Sequence, residues 1–307
     1  MSLASSTTPI ELLRALTVLA EPPGSAHARV AEALGFPEAP AASDFGDVFL
    51  FQLYPYASVH VGAEGMMGGD ARQRVAGFWS ALGRTPPAEP DHLCALLALY
   101  ASLCEEEGLD EAQEALLERS RAALLHEHIG PWLPHYLERV GELAPGFYAG
   151  WADLLSRVFA HEAVRAGHPT RLPLHLREAP ELPDPRQDGG GAFLDGLLAT
   201  ARTGVLLTRA DLAAVAAGLD LGLRAGERRY ALESLLGQDS TGVLLALAAE
   251  ARRQAEMHSE RADLWGATSD FLANRARGTA RLLQRLAEDG FPRPETPAVE
   301  TIADAAS

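Results

Sequence analysis

The aliphatic side chains constrain this chain first: 48 Leu stand against 13 Val and 3 Ile in 307 residues. Strands draw on β-branched side chains that pack on a pleated surface, whereas helices favour Leu and Ala, which lose little freedom there. A GC-rich coding bias produces the same excess, so periodicity has to arbitrate. Leu93, Leu96, Leu97, Tyr100 and Cys104 recur at helical spacing, as do Trp151, Leu154, Leu155, Val158 and Phe159. Further helices are expected at about 9–20, 26–34, 44–54, 70–82, 110–127 and 131–140, punctuated by Pro and Gly, and no run alternates as a strand does. The chain therefore reads as all-α.

The texture changes at 167–192. Five prolines lead into Gly189-Gly190-Gly191, which predicts a linker or an extended strap. Helical periodicity then resumes: Thr208 and Asp211 have the spacing of a capping box, Gly226 to Leu236 and Thr241 to His258 read as helices, and Ala262 to Glu288 as one long helix. The expected division is 1–166, a first helical domain; 167–192, the linker; 193–290, a second helical domain; and 291–307, a disordered tail.

All 26 basic side chains are Arg, against 42 acidic ones. Without Lys there is no P-loop, no Schiff-base lysine and no covalent pyridoxal phosphate. A net charge of −16 argues against a nucleic-acid partner, whose phosphates call for clustered cations. Apolar runs fall short of the ~20 residues of a membrane span, and the N-terminus shows no secretory signal, so cytoplasmic residence without membrane insertion is expected. Cys94 and Cys104, about 15 Å apart if on one helix, read as buried thiols rather than a disulfide. Residues 1–180 hold nine of the ten His and most of the acidic excess, which places any site there.

Most motifs have bland readings. His161-Glu162 opens like a zinc-protease helix, but Arg165 stands where the second His ligand is needed. Gly62, Gly65, Gly68 and Gly69 do not match a dinucleotide fingerprint and read as a flexible connector around Met66-Met67. No nucleophile elbow is present, and nothing calls for a cofactor or a metal. Glu89-Pro90-Asp91-His92 reads as a helix start with Asp91 as the cap, and His128-Ile129-Gly130-Pro131-Trp132 as a helix–helix turn with Trp132 in the core.

Taken together, about 40 residues apart in an acidic helical half, these two segments resemble the paired motifs of the TorD/DmsD family of redox-enzyme maturation chaperones. The first has one residue fewer between Pro and Asp than the family pattern. Phe147-Tyr148 with Trp151 to Leu155, and the aromatic run Phe49 to Tyr56 with Trp79, extend the resemblance over about residues 9–170. It implies a helical bundle of the TorD-like type, followed here by a second helical region outside the resemblance. It implies a cytoplasmic, non-enzymatic chaperone holding the twin-arginine leader and apo form of a molybdopterin-dependent oxidoreductase until its cofactor is inserted.

For such a leader, carboxylates would meet the guanidinium groups and an apolar groove the hydrophobic stretch. Asp91, with Glu89 second, is expected to supply charge, His92 to orient or sense protonation, and Tyr54, Tyr56 and Trp79 to line the groove. Pro90, His128, Pro131 and Trp132 are expected to support the fold. The second helical region is open between an accessory domain, a homodimerisation element and a further client surface. Two alternatives stand beside the chaperone: a helical metal-dependent hydrolase using the His residues of the first half, and a helical scaffold without leader recognition.

Overall fold

Leu-rich periodicity becomes helix throughout. The computed structural model describes residues 10–106, 110–144, 146–169 and 171–291; the expected tail, apart from Phe291, lies outside them. Among the described residues the regular elements are all helices, and the sole β feature is an isolated antiparallel bridge between Tyr56 and His92.

Two hydrophobic cores organise the chain. The first gathers the apolar faces of Ile10–Val18, Leu93–Glu105, Leu133–Leu143 and Phe147–Ala166. Trp151 is its largest fully buried side chain, and its Nε1 donates to the Leu16 carbonyl at 3.0 Å, locking the last of these helices to the first. Cys94 and Cys104 lie on one helix, half-buried at the edge of this core, and both thiols are free. The second core is built on the hairpin of Ser240–Glu260 and Ala267–Asp289, covered by Arg209–Gly218, Arg228–Gln238 and Gly190–Leu197. The capping box expected at Thr208 and Asp211 starts Arg209–Gly218.

The single helix expected from Ala262 to Glu288 is two. Gly266, at φ 52°, separates Ala262–Trp265 from Ala267–Asp289, a left-handed turn that glycine adopts without a Cβ penalty. The turn drives Trp265 into the first core, where it is 5% exposed beside Leu206. Burying side chains of that size is worth about 1.5–3 kcal/mol each, so the cores are coupled by more than polar contacts.

The polar contacts are numerous nonetheless. Arg139, 3% exposed, pairs with Glu142 on its own helix and, at 2.6 Å, with Asp211 across the junction. Arg253 meets Glu142 at 2.6 Å and Glu250 at 2.7 Å, and Arg261 pairs with Glu138. The rings of His135 and His258 face each other edge-on at 4.4 Å, with His258 Nε2–H donating to the Gly204 carbonyl at 2.9 Å.

The Pro-rich stretch is partly helical. It contains the short helices Leu174–Glu178 and Pro185–Asp188, buries Leu176, and is held by Glu127, whose carbonyl accepts from His175 Nε2 at 2.7 Å. Two π-helical turns stand out: Gly46–Gln52, ending immediately before Leu53 to Tyr56, and Leu124–Ile129, running into the His128 to Trp132 segment. Each sits where the 44–54 and 110–127 patterns predict plain α-helix. Such insertions widen a helix by one residue and gather at functional sites.

Candidate functional site

The bridge between Tyr56 and His92 assembles the site. Ala57 N–H donates to the Asp91 carbonyl at 2.9 Å and Leu93 N–H to that of Pro55 at 2.8 Å, so the turn after Gly46–Gln52 and the turn before Leu93–Glu105 are tied back to back. Above the bridge, Tyr56 Oη donates to Glu89 Oε2 at 3.0 Å and its ring meets His92 edge-on at 4.9 Å. Burial, then the bond to Glu89, pushes the Tyr56 phenol up to about 12, so it stays protonated and donating at neutral pH.

Asp91 departs from its expected role. It does not cap its own helix: His92 does, its Nδ1 accepting from Cys94 N–H at 3.2 Å. With Nδ1 accepting, the proton of a neutral His92 ring sits on Nε2. Asp91 is 1% exposed and accepts from Ser58 N–H at 3.1 Å, satisfying a free amide of Ala57–Val61 across the bridge. Its carboxylate is part of the scaffold, and Glu89 is the exposed carboxylate of the motif. Pro90 is buried beneath the turn. Burial lowers the His92 pKa while Glu89, Asp91 and Glu21 pull it back up, and the balance is downward.

Below the bridge the second motif acts as a prop. Trp132 Nε1 donates to the His128 carbonyl at 2.9 Å, and the Trp132 ring stacks flat on His60 at 5.0 Å. His60 Nε2–H donates to the Tyr54 carbonyl at 2.9 Å, and Tyr136 Oη to that of Leu53 at 3.1 Å. Burial lowers His60 to about 4 and His128 to about 3, so both are neutral structural rings at physiological pH. Pro131 is buried with them. Gly130 has a packing reason: a Cβ there would lie 2.6 Å from Trp265 Cζ3.

Beside the bridge opens a cleft of about 710 Å³. Its first wall carries Phe51, Tyr54, Met66 and Met67, all exposed. Its second wall is contributed by residues 192–229, including Leu198, Arg209 and Arg228. The two walls touch where Gly65, at φ 64°, lets the loop pass so close that a Cβ would sit 3.0 Å from Ala199 Cα. The Gly-rich segment is thus a packed edge of the cleft, tied further by Gly68 N–H donating to Ser58 Oγ at 3.1 Å.

Of the expected groove residues, Tyr54 lines the cleft and Tyr56 stands with Glu89 at the bridge, whereas Trp79 packs against the first core and is absent from the cleft lining. Sequence reasoning missed Met66, Met67 and the entire second wall. The available signal was the Met-Met pair itself, since adaptable thioethers mark surfaces that accept varied partners.

The zinc-protease-like segment is anchored through its carboxylate. Glu162, fully buried, accepts from Tyr100 Oη at 2.6 Å and pairs with Arg165 at 3.2 Å. Among the described residues no three His, Cys, Asp or Glu side chains gather as metal ligands. No described helix is long and apolar enough to cross a membrane.

No curated protein and no solved structure matches the chain. Residues 20–138, which contain the bridge, Glu89 and both motif segments, match the family model of the nitrate reductase delta subunit. This is a TorD-like family of chaperones that act in molybdoenzyme maturation. The 20–138 segment, with the site assembled on its Tyr56–His92 bridge, is thus similar to the nitrate reductase delta subunit family of redox-enzyme maturation chaperones.

Proposed function

We propose that the protein is a cytoplasmic chaperone that holds the twin-arginine leader and apo form of a molybdopterin-dependent oxidoreductase subunit until the cofactor is inserted. The observation that carries this reading is the juxtaposition of an exposed carboxylate with an apolar cleft. Glu89 is exposed and fixed by the hydroxyl of Tyr56, and Tyr54, two residues before Tyr56, lines the cleft with Phe51, Met66 and Met67. A leader has the same two parts, guanidinium groups followed by an apolar run. Arg pairs bidentately with a carboxylate, and the fixed orientation of Glu89 reduces the entropy lost on pairing.

In this reading Glu89 supplies the charge, while Asp91 and His92 position it by holding the two turns together. Residues 1–166 form the leader-binding unit, 167–192 the strap, and 193–290 a second unit that closes the cleft.

Calorimetric titration with a synthetic twin-arginine leader peptide tests the proposal. Glu89→Gln is expected to weaken binding at least tenfold with unchanged helical circular dichroism, and raised salt to weaken the unmodified protein's binding, since the pair is exposed. Equal affinity of the two proteins would overturn the assignment.

A further inference from the structure

The cleft has a charge that the rest of the chain does not lead one to expect. Acidic residues outnumber Arg by 42 to 26, yet the cleft is lined by Arg202, Arg209, Arg228 and Arg229 against Glu64, Asp195 and Glu227, a local excess of positive charge. Arg229 is occupied by Asp195 at 2.6 Å. The other three form no ion pair among the described residues. Arg202 and Arg228 are aimed by neutral backbone carbonyls, Ala63 at 2.5 Å and Leu207 at 2.6 Å, which fix the guanidinium without cancelling its charge. Arg209 stands at the first position of Arg209–Gly218, where the helix dipole adds to its field. Opposite lie the exposed thioethers of Met66 and Met67 and the rings of Phe51 and Tyr54.

We infer that this cleft binds an apolar peptide segment of the client that carries carboxylates, with the apolar side chains on the Met66 and Met67 wall and the carboxylates on Arg209 and Arg228. About 710 Å³ accommodates a few side chains and not a folded domain. Charge complementarity selects the occupant: a guanidinium entering the cleft meets like charge, and a carboxylate meets bidentate donors. The basic end of a client is thereby directed to Glu89 and an acidic, apolar part to the cleft, which gives the second helical region a role in client selection. This rests on the proposed function only in taking the bound segment to be part of a client.

The test uses the full chain and three fluorescein-labelled 12-residue peptides of one Leu/Ala/Ser sequence carrying two Glu, two Gln or two Arg, read by fluorescence anisotropy. The expected order of affinity is Glu, then Gln, then Arg, with at least tenfold between the extremes. Arg209→Glu is expected to abolish the preference for Glu, and Arg209→Gln, which leaves the helix start uncharged, to reduce it severalfold. Met66→Ser with Met67→Ser is expected to weaken all three peptides. Equal affinity for the Glu and Gln peptides overturns the inference, as does an unaltered preference in both Arg209 variants. Concentration-dependent dimerisation abolished by the Met66→Ser, Met67→Ser pair would assign the cleft to a second copy of the chain and overturn it as well. Failure of the twin-arginine leader to bind, with this order intact, would remove the leader assignment and leave the cleft's.

Discussion

Arg139 crosses from the first core to the second to place its Nη2 2.6 Å from Asp211 Oδ1, and it does so while 3% exposed. The partner is the same carboxylate that closes the capping box on Thr208, so one acidic side chain both starts a helix and receives the cation of the other half. Removing one member of a buried pair leaves a charge without compensation, at a cost of about 3–5 kcal/mol. Arg139→Ala is therefore expected to lower urea stability by that order, and Arg139→Met by less, because it retains packing. Equal midpoints for Arg139→Ala and the unmodified protein would show that the two halves do not depend on the pair.

Asp91 and Glu89 should separate stability from binding. Asp91→Ala removes the acceptor for Ser58 N–H, and loss of a helix cap of this kind costs about 0.5–2 kcal/mol. Glu89→Gln keeps an acceptor for Tyr56 on the surface and is expected to change stability by less than about 0.5 kcal/mol. Denaturant titration of both variants beside leader calorimetry checks this; a destabilised Glu89→Gln would make Glu89 a scaffold residue.

Acid should loosen the junction and the prop together. Burial lowers His60 and His258 to about 4 and His128 to about 3. A base whose folded pKa lies below its ordinary 6.5 takes up its proton more readily when unfolded. The stability from these neutral rings is full above about pH 6.5 and is lost as pH falls toward 4. The urea midpoint is expected to drop steadily between pH 7 and pH 4.5, with His258→Gln removing part of that slope. A flat profile over this interval contradicts the burial of these rings.

Gly130 and Trp265 should show compensation. A Cβ at 130 meets the indole at 2.6 Å, so Gly130→Ala is expected to cost about 1–3 kcal/mol by overpacking. Trp265→Leu costs stability by itself, yet in that background the added methyl group should cost little. A double-mutant cycle by chemical denaturation measures the coupling, and additive effects would place the two residues out of contact.

Helix positions were legible because Leu repeats at a 3.6-residue period across most of the chain, and the supporting role of Trp132 followed from its place in an apolar turn. The direction of Asp91 was not legible. A helix cap reads as local, whereas this carboxylate caps a helix 33 residues earlier in the sequence, a relationship that only the Tyr56–His92 bridge creates. The break at Gly266 was hidden for a similar reason: one Gly in a helical pattern is tolerated, and what decides here is the destination of Trp265. The cleft's second wall lay beyond the motif resemblance, in a region whose role the sequence left open.

The π-helical turn Gly46–Gln52 fixes where Phe51 points. One residue more than an α-helical turn needs is accommodated there, and each residue of helix rotates the chain by about 100°. Winding the same residues as a regular α-helix, with none removed, would swing Phe51 by about a quarter-turn away from the cleft mouth. The type of helical turn, rather than any change of side chain, thus sets what the first wall presents to the cleft.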